Sequence, residues 1–577
     1  MNKLKNILRN ENAVNILILL IVSLFVCIPL LSKKINIAYD DGIQHIARLM
    51  GTYQSITEGQ SFPVIMSNFC NGFGYSWNLF YSPLTAYVPL MFKLIGANFT
   101  QCIKLFMVLV VFLSGITMYN FTKQVTKNKK IALLSGVLYI FAPYRFTDMY
   151  LRNALAELTS FIFIPMIFEG LYGVLNQKNK KEYLLIIGSI GLILTHSVIT
   201  MYVAIFCFIY LIIQNKQLRN KEVLKKISIS ILFIIVITSF FWAPLLEHKL
   251  NANYEVFKEG RMERQDVLVA LKLDFLELIY TPKYNIRINE IGLFNIILLA
   301  LTPIVIKRMN LKYKNTSFYR FYMFALIMGI ISCIMTLKIF PFEKLPAILK
   351  MLQFSFRMLE FSSFFFAFVV AVNFYILLKK IKYKNVTIVI IILMISSMFY
   401  TSHLQYNDNI DESKLWPSVP VTENTGRVHA GCASFEYLPC KAFENRKYIE
   451  QRTDDVLVLN GMANIENKQK SGTNLFCNIS NVTEETEIEL PYIYYLGYNV
   501  ELEKNGEKQK LKTFETENGF VGVKVSNIEE GTLKVKYAGT SIMHITRVIS
   551  IIGFILLIFK VFQKRDLFLS KLFSLTK

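Results

Sequence analysis

Residues 216–245 read KQLRNKEVLKKISISILFIIVITSFFWAPL. Five cations, Lys216, Arg219, Lys221, Lys225 and Lys226, precede an uncharged run, Ile227–Leu245. A bilayer core of roughly 30 Å takes about 20 helical residues. Lys and Arg gather at the cytosolic ends of such runs. The same unit recurs along the chain, at Ala13–Leu31, Cys102–Phe121, Ile131–Ala142, Leu155–Leu175, Leu184–Thr195, Ser197–Ile213, Ile291–Ile306, Phe318–Leu337, Leu359–Leu378, Val386–Thr401 and Ile542–Phe562. The pattern predicts a polytopic α-helical membrane protein with about twelve transmembrane helices. The first run has no small-residue cleavage site after Leu31 and is read as a span, not a signal peptide.

Composition agrees. Hydrophobic residues make up 53% of the 577, too many for a disordered chain. The net charge of +22 comes from 63 Lys and Arg against 41 Asp and Glu. Seven segments, Met1–Asn12, Lys123–Lys130, Asn176–Tyr183, Gln214–Lys226, Lys307–Asn315, Lys379–Asn385 and Lys560–Lys577, hold 28 of those 63. They alternate with the runs, so every second loop and both termini are expected inside the cell. The excess cation then anchors to anionic membrane lipid, and nucleic acid is not needed to explain it. The Tyr81–Gly96 segment is apolar but carries Pro83, Pro89 and Lys93. A span there would turn every later basic cluster outward, so it is read as interfacial or re-entrant.

Three large pieces are left outside: 32–101, 246–290 and 402–541. The membrane domain is expected over 1–402, a β-rich extracytoplasmic domain over 403–541, and a last span over 542–562 before a cytosolic tail, 563–577. The β reading rests on alternation in Glu487-Ile488-Glu489-Leu490 and Thr532–Tyr537, and on the hairpin signal Asn505-Gly506. Of eight Cys, with no CxxC, three lie there. Cys432, Cys440 and Cys477 would either pair in part or stay thiols.

Unusual polar residues gather on the outer side. Asp41, His45 and Arg48 are spaced i, i+4, i+7 and share a helix face. Such a set could take a proton and hold a phosphate. The alternative is that Asp40 or Asp41 caps the helix and the rest is a solvated face. Spacing to His45 favours Asp41 over Asp40. The loop continues through Gly72-Phe73-Gly74-Tyr75 and Asn78–Leu84, whose aromatics suit either a sugar or a membrane interface. The next outer turn holds Arg145, Asp148, Arg152 and Glu157, read as a substrate site or a structural ion network. His196, Glu247 and Arg357 fall on the same side. P-loop, HExxH and Gly-Xaa-Ser-Xaa-Gly patterns are absent.

In this order the motifs resemble the membrane-integral glycosyltransferases of the GT-C fold. More closely, they resemble the bacterial "6-pyruvoyl-tetrahydropterin synthase-related" membrane family, relatives of the YfhO-type proteins. The resemblance runs over Asp41–Arg48, Gly72–Tyr75, Phe80–Leu84, Pro143–Arg145, Asp148–Glu157, Thr195-His196, Phe241–Glu247, Leu352–Arg357 and Ser434–Pro439. Ser355-Phe356 stands where that pattern has Pro-Trp. The family name misleads, because soluble pterin synthases bind zinc through a His cluster and this chain has none.

The resemblance implies an inverting GT-C-type enzyme that moves a sugar from a polyprenyl phosphate to a cell-envelope glycan or polymer outside the cytoplasm. In that scheme Asp41, or Asp40, is the base. Arg48, Arg152 or Arg357 neutralises the leaving phosphate. His45, Arg145, Asp148, Glu157, His196 and Glu247 orient substrate. Mg²⁺ or Mn²⁺ would suit oxygen ligands, and the scheme does not require one. The β domain is placed to meet a glycan or teichoic-acid-type acceptor. Two other classes stay open: a lipid-linked-intermediate flippase or transporter, and a non-catalytic factor that kept the fold.

Overall fold

The computed structural model of the chain describes residues 10–32, 40–176, 181–258, 265–281, 287–310, 313–378, 382–401, 432 and 435–574. Tyr39, Ser434, His403 and His429 lie outside the described residues. Fourteen α-helices of eight or more residues are described: α1 Glu11–Val26, α2 Asp41–Thr57, α3 Phe99–Thr126, α4 Lys129–Ile140, α5 Leu155–Asn176, α6 Glu182–Ile193, α7 Ser197–Ile213, α8 Lys221–Asn251, α9 Leu293–Ala300, α10 Thr302–Asn310, α11 Ser317–Thr336, α12 Met358–Leu378, α13 Tyr383–Thr401 and α14 Ser541–Ser574.

Every apolar run of the sequence is helical, but the lengths differ from the expectation. Among the described residues seven helices are long and apolar enough to cross a bilayer: α3, α5, α8, α11, α12 with the turn before it, α13 and α14 up to Val561. The α9–α10 pair, bent by 47°, makes an eighth if it is one broken span. A 12-residue helix such as α4 or α6 rises only about 18 Å, short of the hydrocarbon thickness. Counting apolar runs therefore gives about twelve, while helix length and composition support seven or eight. The segment Leu84–Ile95 is likewise too short to span. It breaks at Val88-Pro89, packs against α3 and exposes Met91, Leu94 and Ile95.

The helices segregate by burial. In α5, 89% of the apolar window is inside the protein, against 22% in α14 and 28% in α13. A helix apolar all round sits at the centre or faces lipid; α5 does the first and α14 the second. Contacts at one end join basic segments expected on one side. Lys129 pairs with Glu11, the Tyr383 hydroxyl donates to Glu11, and Lys560 pairs with Glu182.

At the other end sit two antiparallel sheets. Their strands are β1 Leu457–Asn460, β2 Asn464–Ser471, β3 Asn474–Val482, β4 Thr486–Ile493, β5 Tyr498–Lys504, β6 Glu507–Leu511, β7 Thr513–Glu515, β8 Phe520–Val525 and β9 Ile528–Tyr537. The orders are β1-β4-β8-β7 and β2-β3-β9-β5-β6. Lys504 pairs with Glu507 across Asn505 (φ 52°) and Gly506 (φ 81°). This is the two-residue turn that the dipeptide favours. β9 alternates as expected, with Leu533, Val535 and Tyr537 inward and Lys534 and Lys536 outward.

The sheets share one core with the outer loops. Val64–Phe80, Tyr254 and Val256 belong to the same apolar cluster as the strands. Hydrogen bonds sew the pieces together: Ile493 N to Phe73 O at 2.9 Å, Glu255 N to Leu438 O at 3.0 Å, and Cys440 N to Asn253 O at 2.9 Å. Parts of all three outer pieces of the sequence, Val64–Phe80, the Tyr254 region and the described part of 435–541, therefore pack in one layer.

Glu489 departs from the alternation. It is fully buried, 3.1 Å from the equally buried Arg452, and accepts from Tyr448, Thr516 and Asn518. Removing one partner of such a pair strands the other charge, at a cost of about 3–5 kcal/mol. Glu489→Gln is therefore expected to destabilise the outer layer by that order. Lys524→Ala, which breaks the exposed pair with Glu485, should cost no more than about 0.5 kcal/mol. Urea unfolding of the full chain in detergent, followed by tyrosine fluorescence, reads both; equal effects would refute the assignment.

Candidate functional site

The site grows from a turn. α4 ends at Ile140, and Pro143 opens a short helical piece, Pro143–Phe146. The backbone then widens, with Arg152 N bonded to Thr147 O at 2.7 Å, a five-residue step. Such wide turns recur at functional sites. Asn153 takes φ 53° and α5 begins at Leu155. The turn aims Asp148 and Arg152 inward, towards Glu157 in the first turn of α5.

Glu157 is the hub. Its Oε2 lies 2.9 Å from Arg152 Nη1 and 2.9 Å from Arg357 Nε, and its Oε1 accepts the Tyr144 hydroxyl. Arg152 Nη1 also reaches Asp148 Oδ1 at 3.0 Å, and Arg152 Nη2 reaches Asp41 Oδ2 at 3.3 Å. Asp41 N donates to Arg152 O at 3.0 Å, so backbone and side chain both tie α2 to the turn. Arg357 Nη1 is held by Leu352 O and Gln353 Oε1. Phe354 and Phe356 stack in parallel, centroids 5.3 Å apart, and face Arg152, Arg357 and Arg287 at 4.7–5.3 Å. Asp148, Arg152, Glu157 and Arg357 are all buried, while the Asp41 side chain is 42% exposed. Asp41 is the point where the network meets solvent.

Asp40 sits at the cap position of α2 without a side-chain capping bond. Its φ of 48° with ψ −118° is a costly backbone region for a non-glycine residue. Burial and the Asp41 charge push its carboxyl above the usual range, against Arg152 and Arg287. His45 is buried behind Asp41, edge-on to Tyr81 at 6.2 Å. Burial pushes its imidazole down to about 4, with Asp41 opposing. His196 accepts from Ile199 N as the cap of α7, within range of the Arg357 and Glu157 charges.

Three expected residues stand apart from this network. Arg48 binds Asn78 Oδ1 at 2.9 Å and the carbonyls of Tyr81 and Ser82 at 3.0 and 3.1 Å, so it holds the aromatic loop. Arg145 is fully buried on Tyr139 O, its guanidinium 4.2 Å over the Phe161 ring. Glu247 accepts from Thr540 and ties α8 to the start of α14. Residues that the sequence reading missed complete the site: Tyr144, Arg287 and Glu360. Glu360, fully buried, accepts from Ser160. An acid inside an apolar run was the available signal for it. Nothing in the sequence singles out Arg287. The carboxylates of Asp41, Asp148 and Glu157 each pair with a guanidinium group. Among the described residues no set of three or more His, Cys, Asp or Glu is arranged to hold a metal ion.

Residues 79–406, which carry this network apart from Asp40, Asp41 and His45, match the 6-pyruvoyl-tetrahydropterin synthase related domain, a membrane-protein family. The chain belongs to that family. The match agrees with the YfhO-like resemblance read from the motifs. An uncharacterized protein of Lactococcus lactis subsp. cremoris (strain MG1363) is 29% identical over 249 residues, 42% of this chain. The matched region spans only 40% of that relative's length. The apo crystal structure of an Archaeoglobus fulgidus oligosaccharyltransferase superposes with a TM-score of 0.39 at 13% identity, over 76% of this chain and 59% of that one. That likeness is too slight to carry an argument about fold or function.

Two outcomes follow for this family member. Glu157→Gln leaves two buried arginines short of a counter-charge and should destabilise the chain by about 3–5 kcal/mol. Asp41→Asn, at the exposed edge, should cost under about 1 kcal/mol. Yield and unfolding temperature in detergent separate them; equal losses would remove Glu157 from the hub. For His45, the folded pKa is depressed from about 6.5 to about 4. Its contribution, on the order of 3 kcal/mol, is present above pH 6.5 and lost as pH falls towards 4. His45→Gln should flatten that acid limb of the unfolding temperature. An unchanged limb would show that His45 is not buried neutral.

Proposed function

We propose that this chain is a membrane glycosyltransferase. It takes a sugar from a polyprenyl-phosphate donor and passes it to a cell-envelope acceptor on the outer side. The observation that carries the reading is the half-exposed Asp41 carboxylate, fixed through Arg152 to a buried network at the junction of the outer layer and the helices. Asp41 takes the acceptor hydroxyl proton as that oxygen attacks the anomeric carbon. The bond from that carbon to the phosphate oxygen breaks, and the polyprenyl phosphate leaves with the electron pair. Arg152 and Arg357 supply the positive field for it. Phe354, partly exposed and backed by the buried Phe356 ring, would offer the apolar surface against which a sugar or prenyl chain packs. In this reading the basic end of the bundle faces the cytosol with both termini, and the β sheets meet the acceptor.

One observation favours transport instead. Glu360 is buried in α12 and its Oε2 has no hydrogen-bond partner, as in proton- or ion-coupled carriers. Reconstitution decides between the two. Liposomes holding the full chain would be offered a panel of polyprenyl-phosphate sugars and a mixed cell-wall acceptor. Under the enzyme reading wild type turns donor over and Asp41→Asn slows it about 100- to 10,000-fold. Donor that crosses the bilayer without being consumed, lost in Glu360→Gln and kept in Asp41→Asn, would replace the enzyme with a carrier.

A further inference from the structure

We infer that Cys70 and Cys432 form a disulfide that fastens the first outer loop to the β layer. Their Sγ atoms lie 3.5 Å apart, although 362 positions separate them in the chain. Cys432 thus meets a residue outside the trio of Cys432, Cys440 and Cys477. A disulfide closes to about 2.05 Å, so the sulfurs would approach by about 1.5 Å. The backbone holds the two in register. The Tyr75 hydroxyl donates to Cys432 O at 3.0 Å and accepts from Tyr437 N at 3.1 Å. Asn71 Nδ2 donates to Ile449 O at 2.9 Å. Cys70 and Asn71 both take left-handed φ, 51° and 57°, a conformation that costs free energy and turns Cys70 towards its partner.

Both residues belong to the outer layer, the side expected to be oxidising. A small surface cleft lined by Asn71, Phe435 and Arg446 also includes Cys70 and Cys432. The oxidant is a disulfide of the extracytoplasmic space, RSSR. The Cys70 thiolate attacks it and releases RS⁻. The Cys432 thiolate then attacks the Cys70 sulfur and releases the second RS⁻. Two electrons pass from the two cysteines to RSSR, which ends as two RSH carrying the two thiol protons. Burial holds the Cys70 thiol well above its usual range. Thiolate is therefore scarce in the folded chain, and exchange belongs to folding rather than to turnover.

The test uses the full chain, from membranes quenched with N-ethylmaleimide and then denatured without reductant. Peptide mapping is expected to find a Cys70–Cys432 cross-link, with six of the eight Cys alkylated before reduction and the remaining two only after it. In the Cys70→Ser variant, Cys432 becomes alkylated before reduction. Should that variant fail to fold, the wild-type map decides alone. Alkylation of both Cys70 and Cys432 in unreduced wild type would overturn the inference, as would either residue bonded to another cysteine.

Discussion

One carboxylate inside the bundle, that of Glu157, holds two guanidinium groups and a tyrosine hydroxyl. Each charge placed within the hydrocarbon region costs roughly 2.5–3.5 kcal/mol on the insertion scale. Arg152, Arg357 and Glu157 can stay ionised there only as a set. The set also fixes chain geometry. Arg152 comes from the wide turn, Glu157 from the start of α5 five residues on, and Arg357 from the stretch before α12, so two segments 200 residues apart meet at one oxygen. Asp41 joins through Arg152 and brings in α2. The position of the outer layer over the bundle follows from this cross-link.

The outer layer is held together by a different means. The first loop, the Tyr254 region and the sheets bury apolar side chains in one shared cluster. Arg48 adds a clamp within the loop, fixing Asn78, Tyr81 and Ser82. The layer's contact with the bundle includes the point where Asp41 meets Arg152.

The sequence was most legible where physics is local. Among the described residues hydropathy located every helix long and apolar enough to span, and the Asn505-Gly506 turn was where its dihedrals demand. It was least legible where partners come from far along the chain. Period-two alternation turned Glu489 outward; Arg452, 37 residues away, draws it in. The i, i+4, i+7 spacing put Arg48 on a face with Asp41, but spacing does not reveal which carbonyls capture a guanidinium. The span count went too high because an apolar run signals burial as readily as crossing, and α4 and α6 are short. Asp148, Arg152, Glu157 and Arg357 were each legible as unusual charges, because an ionisable group beside an apolar run needs a partner. That one glutamate serves two arginines was not.

The charges of the site do not balance. Asp41, Asp148 and Glu157 face Arg152 and Arg357 within ion-pair distance, one negative charge in excess. Arg287 near Asp40 leaves that count unchanged if Asp40 is ionised, and lowers it to zero if Asp40 carries a proton. In the proposed reaction a phosphate donor would bring further negative charge to this place; repulsion in a poorly solvated cluster is costly, so a shift of Asp40 towards its protonated form would favour the donor. Burial already pushes Asp40 in that direction. Under the proposed reaction the doubled acid would divide the labour: burial raises Asp40 towards its neutral form, while Arg152 holds Asp41 at the solvent edge, where the acceptor proton would be taken.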